Sequence, residues 1–99
     1  MTETAAIERI DAGEFRDLAW VPAAQARMRA ATFQELTHWA TPDRSRVGVV
    51  LYDLFDKDFG WVAFWAKREE AAYDAGVSYP SAEAATAALV VALQRGGPP

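Results

Sequence analysis

The sequence predicts an α+β fold: one small domain over residues 7–95, built as an N-terminal helix, a three-stranded antiparallel sheet and a C-terminal helix, with flexible ends at 1–6 and 96–99. Three observations carry that expectation. Residues 47–66 read as two short strands around the turn Phe55-Asp56-Lys57-Asp58-Phe59-Gly60, and they hold half of the aromatic residues of the chain. Neither face of that hairpin is polar. Counting from Val47, one face carries Val47, Val49 and Leu51, then Asp53 and Phe55, and the other Gly48, Val50, Tyr52 and Leu54, while Trp61, Ala63 and Trp65 alternate with Val62, Phe64 and Ala66 on the return strand. A sheet that is apolar on both faces needs a covering layer on each, either a helix or another molecule.

Taken in order, residues 7–20 are ambiguous. Ile7, Ile10, Phe15 and Leu18 could line a short helix, but Asp11-Ala12-Gly13 interrupts it. A clearer helix is expected to start at Pro22, because the N–H that proline lacks would be unpaired in the first turn anyway. Ala26, Ala30, Phe33, Leu36 and Ala40 then follow at helical spacing, Arg27, Gln34 and His38 form the opposite polar side, and Thr41-Pro42 ends the helix. Residues 67–79 admit two readings. Lys67 to Ala72 favour a helix, whereas Ala71, Tyr73, Ala75, Val77 and Tyr79 alternate as a half-buried strand would. The strand is preferred, paired with its neighbour in sequence. The last helix, 82–95, has Ser81 as its N-cap, Glu83 in its first turn and glycines at its end. Ala85, Ala88, Leu89, Ala92 and Leu93 form its inward face. Ala84, Ala87, Val90 and Val91 leave it almost no polar side, so the first helix is expected beside it, with a dimer seam as the alternative.

The junction Gly76-Val77-Ser78-Tyr79-Pro80-Ser81-Ala82-Glu83-Ala84-Ala85, after a hairpin with tryptophans in its return strand, resembles the strand-to-helix junction of small α-β-β-(β)-α domains. Those include HicB-like antitoxin domains, double-stranded-RNA-binding folds and short sandwich domains encoded by bacteriophages. The resemblance covers about residues 47–93 and implies fold more than function. RNA binding does not carry over, because the RNA-binding family places lysines at the start of its last helix, where this chain has Tyr79, Pro80 and Glu83.

Composition narrows the function classes. With 99 residues there is room for one core. A formal charge of -4 argues against direct nucleic-acid binding, which needs a basic footprint. No cysteine is present, which excludes disulfides, thiolate metal sites and a cysteine nucleophile. No apolar run approaches the roughly 20 residues of a membrane span, and the N-terminus does not read as a signal peptide, so a cytoplasmic protein without membrane contact is expected. His38 is the one histidine; on the polar side of a helix it reads as a solvated residue rather than a general base. Asp53, Asp56 and Asp58 lack the alternation, sixth-position glycine and later glutamate of a calcium loop, so no metal and no cofactor are expected.

The expectation is therefore a non-enzymatic protein-binding module, a small accessory or inhibitory protein of a phage or mobile element, with an unidentified protein partner. Its candidate contact residues are Phe55, Asp56, Asp58 and Phe59 at the hairpin turn, with Trp61 and Trp65 where a helix fails to reach. Two alternatives stand beside it. Asp43, Asp53, Asp56, Asp58, Glu69, Glu70 and Asp74 could form an acidic surface that mimics nucleic acid and inhibits a host defence nuclease, in the anti-CRISPR manner. Alternatively, the apolar last helix or an edge strand could make a homodimer or a larger self-assembly.

Overall fold

In the computed structural model, the structure describes residues 6–18, 33–53, 60–68 and 73–96, by backbone alone at 33, 53 and 73–77. The elements run β1 (Glu8–Ile10), α1 (Ala12–Asp17), β2 (Phe33–Ala40), β3 (Arg46–Asp53), β4 (Trp61–Lys67), β5 (Tyr73–Tyr79) and α2 (Ala82–Arg95). The sheet is an antiparallel meander in the order β1-β2-β3-β4-β5. It thus has five strands rather than the three expected, between two helices among the described residues.

The hairpin holds the centre and is apolar on both faces, as its alternation requires. Val47, Val49 and Leu51 stand opposite Ala66, Phe64 and Val62, and these six share one buried cluster with Ile10, Phe15 and Ala40. Val50, Ala63 and Trp65 belong to a second cluster with Ala85, Leu89, Ala92 and Leu93 of α2. α2 lies chiefly over β3 and β4 and reaches β5. Beyond it Ile7, Leu36 and Trp39 pack against the same cluster while staying half-exposed.

α2 is built as its sequence dictates. Ser81 Oγ accepts from Ala84 N at 3.1 Å, and Gly96, at φ +72°, returns its N–H to Ala92 O at 2.8 Å, a left-handed stop that glycine adopts without steric cost. Gly48 lets α2 come close. A Cβ there would collide with Leu89 Cδ1 and sit 3.0 Å from Phe64 O.

Three expectations are corrected. The helix expected over 22–40 is a strand over its last eight residues, and 22–32 lie outside the described residues. Residues 7–20 hold a three-residue strand followed by a six-residue helix, which Asp11 caps by accepting from Glu14 N at 2.7 Å. The Asp11-Ala12-Gly13 interruption is thus a helix start. Finally, His38 is not solvated. It is only 6 % exposed, because the strand turns it toward α1, where its ring tilts against Phe15 with centroids 4.7 Å apart.

β5 forms where the alternating pattern predicts it. It carries one extra residue between the partners of Val62 and Phe64, which pair with Ser78 and Ala75. No helix among the described residues is long and apolar enough to cross a membrane.

Candidate functional site

One end of the α2-covered face is lined by rings from three adjacent strands. The register places Tyr52 of β3 opposite Trp61 of β4, and Trp61 opposite Tyr79 of β5. Tyr52 and Trp61 meet edge-on, centroids 5.3 Å apart at 61°, an arrangement that aromatic quadrupoles favour. α2 starts just beyond Tyr79 and runs away toward Arg46, which reaches Gln94 O of its last turn. The helix therefore leaves this end only half covered, and Tyr52, Trp61 and Tyr79 are all partly exposed.

The candidate contact residues divide accordingly. Trp61 stands on this rim. Trp65 does not: at 8 % exposure it lies beneath α2 in the core, with the Lys67 ammonium 5.6 Å from its ring centroid. Along one strand the two indoles share a face but stand about 13 Å apart, enough for the helix to cover one and miss the other. Phe55, Asp56, Asp58 and Phe59 lie outside the described residues. Tyr79 was not among the expected anchors. Its signal is a matter of register, visible only once β5 is laid beside β4.

The titratable groups are mostly structural ties. His38 Nε2 is 2.6 Å from Glu35 Oε1, and Arg16 Nη2 reaches Glu35 Oε2 at 3.3 Å, joining α1 to β2. Arg44 binds Glu14 through Nε at 2.5 Å and Glu8 through Nη1 at 2.7 Å, which holds its guanidinium above the usual range and ties β1 and α1 to the β2–β3 turn. Its backbone is left-handed at φ 60°, where a non-glycine residue is strained. Asp43 accepts from Ser45 Oγ at 2.7 Å, from Ser45 N at 3.0 Å and from Thr41 Oγ1 at 2.8 Å. These bonds to the charged form lower its pKa to about 2.

Of the acidic residues considered as a nucleic-acid mimic, Asp43 is the one whose side chain is described, and its Oδ1 is committed to this turn. Among the described residues no group of three or more histidine, aspartate or glutamate side chains is placed to hold a metal ion. No protein-family model, no curated protein and no solved structure matches this chain.

Proposed function

We propose that this chain is a non-enzymatic protein-binding module whose anchor is Trp61, flanked by Tyr52 and Tyr79. The observation that carries this reading is the half-covered rim itself. Three large amphipathic rings from three neighbouring strands are gathered at one end of the sheet, where Trp61 and Tyr79 pack against the α2-side cluster and Tyr52 against Trp61, and all three stay partly exposed. Tryptophan and tyrosine dominate interface energetics because they bury much area at small entropic cost and keep a polar tip for the partner. β5, which carries Tyr79, is an edge strand in the sheet order, so a partner strand laid along it would pass beside Tyr79, one strand away from Trp61. The resemblance of the β5–α2 junction to small phage and antitoxin domains suits an accessory or inhibitory role in a phage or mobile element.

Affinity capture from a lysate of the source organism, comparing the parent chain with Trp61→Ala and identifying retained proteins by mass spectrometry, tests the reading. A protein held by the parent and depleted at least about tenfold by the variant, roughly 1.4 kcal/mol, is expected. Identical capture by both chains sinks the proposal. Raising salt to about 0.5 M then separates chemistries, since ring-mediated binding persists while binding through an acidic surface weakens steeply.

A further inference from the structure

α2 keeps an apolar side in solvent. Between Glu83 and Gln94 it carries only alanine, valine and leucine besides Thr86, whose hydroxyl is spent on the helix itself, donating to Ala82 O at 2.8 Å. Ala85, Leu89, Ala92 and Leu93 are buried against the sheet. On the far side Glu83, Ala87, Val91 and Arg95 are all exposed, and Val91 is the one large hydrophobic residue so exposed among the described residues. A helix that is hydrophobic all round is ordinarily buried all round. α1 does not supply the missing neighbour, because Phe15 sets it on the other face of the sheet.

The four exposed residues are spaced by four and form one i, i+4 ridge of the helix. An acid closes the ridge at its N-terminal end and a base at its C-terminal end. Glu83 and Arg95 stand about 18 Å apart along the axis, too far to pair with each other. Turned end for end, however, the ridge is its own complement. An antiparallel copy related by a twofold axis at the level of Leu89 sets Glu83 against the partner's Arg95 and Ala87 against the partner's Val91, and symmetry repeats both contacts. The small side chain of Ala87 leaves the room that a branched valine fills. Each N-terminal helix end also comes to lie beside a C-terminal one, an arrangement that the helix dipoles favour.

We infer that this ridge is a self-association surface whose occupant is α2 of a second copy of this chain, packed antiparallel. The opposite charges at the two ends of one apolar ridge select that occupant. A membrane surface would need several cations along the helix border, and Arg95 is the one base in α2. Two 14-residue helices make a seam about 21 Å long. That is small for an interface, so the dimer is a weak one, with a dissociation constant of about 1–100 μM. The inference rests on α2 and not on the reading of Trp61 as an anchor.

Sedimentation equilibrium of the pure full chain, at concentrations that bracket this range, tests it without any other protein present. The parent is expected to pass from monomer to dimer. Ala87→Glu, at an exposed helical position, should weaken association at least about tenfold with an unchanged circular dichroism spectrum. Glu83→Arg and Arg95→Glu should each weaken it about fivefold, because the like charges meet twice in a symmetric pair. The two exchanges together should restore the parent's constant. A chain that stays monomeric throughout overturns the inference. So does a dimer that Ala87→Glu leaves intact, or a double exchange no tighter than the single ones, since either places the contact elsewhere. Should Ala87→Glu not fold, Val91→Glu carries the same expectation and the same refutation.

Discussion

Glu35 and His38 lie three residues apart on one strand and still share a face, with Nε2 2.6 Å from Oε1. In a regular strand, residues at that spacing point to opposite sides. They meet because the β2–β3 register shifts between Glu35, opposite Leu51, and Thr37, opposite Val50. Leu36 is the extra residue of a bulge and joins the α2-side cluster. After it His38 and Ala40 face α1, and Trp39 faces α2.

Removing the extra residue should therefore be survivable. Deleting Leu36 leaves Glu35 two positions from His38 and still on the same face, so every other side chain of β2 keeps its side. The expected cost in urea denaturation is about 1–3 kcal/mol, from one half-buried leucine and the lost local twist. Deleting Val49 from β3, which has no bulge to absorb it, turns one arm of the central strand inside out and should abolish cooperative unfolding. Equal damage from the two deletions would show that the bulge is not what aligns Glu35 with His38.

The same bulge explains why β2 was not legible in the sequence. One inserted residue breaks the period of two, and Leu36 and Ala40, which face opposite sides of the sheet, fall at a spacing of four that imitates one face of a helix. β1 escaped for another reason: three residues are too few to show a period. The hairpin and α2 were legible because each states its period over seven residues or more without interruption, and Ser81 and Gly96 mark both ends of the helix. β5 lies where the strand reading put it, although an extra residue between Ala75 and Ser78 breaks the alternation that suggested it. The candidate site was legible only in part. Trp61 and Trp65 occupy equivalent positions in the strand pattern, and what separates them is how far along the sheet α2 extends, which no local pattern encodes.

Gly48 is where the closeness of α2 can be tested. An added methyl would collide with Leu89 Cδ1 and lie 3.0 Å from both Leu89 Cγ and Phe64 O. Leu89 is fully buried and the Phe64 carbonyl is backbone, so neither yields freely. Gly48→Ala should cost about 1–3 kcal/mol by overpacking. In a double-mutant cycle with Leu89→Ala, thermal melts should show that the alanine at 48 costs less once the leucine is shortened, with a coupling of about 1 kcal/mol. Strict additivity would place the helix farther from the sheet than described.

Asp43 sets a pH window. Its carboxyl titrates near 2 in the folded chain against an ordinary value of 3.8, because Ser45 and Thr41 donate to the charged form. Its folded-state value is the lower one, so the stability it contributes is complete above about 3.8 and is lost as the pH falls through about 2. Carbon-detected NMR titration should find this carboxyl still ionised at pH 3. In melts across that range Asp43→Asn should flatten the acid-side loss of stability without adding any dependence above pH 5. A carboxyl titrating near 4 would mean that the hydrogen bonds in the turn are not held in solution.

The two tryptophans of β4 separate folding from binding. Trp65 is enclosed by α2 and the sheet, so Trp65→Ala should cost about 3–5 kcal/mol, a large share of the roughly 5–15 kcal/mol that holds a domain together. Trp61 packs against Tyr52 and the α2-side cluster and stays partly exposed. Trp61→Ala should cost only about 1–2 kcal/mol and leave the chain folded, which makes it the variant for testing recognition. Chemical denaturation followed by circular dichroism measures both. Were Trp61→Ala to destabilise as much as Trp65→Ala, the ring would belong to the core, and the rim would have no exposed anchor to offer a partner.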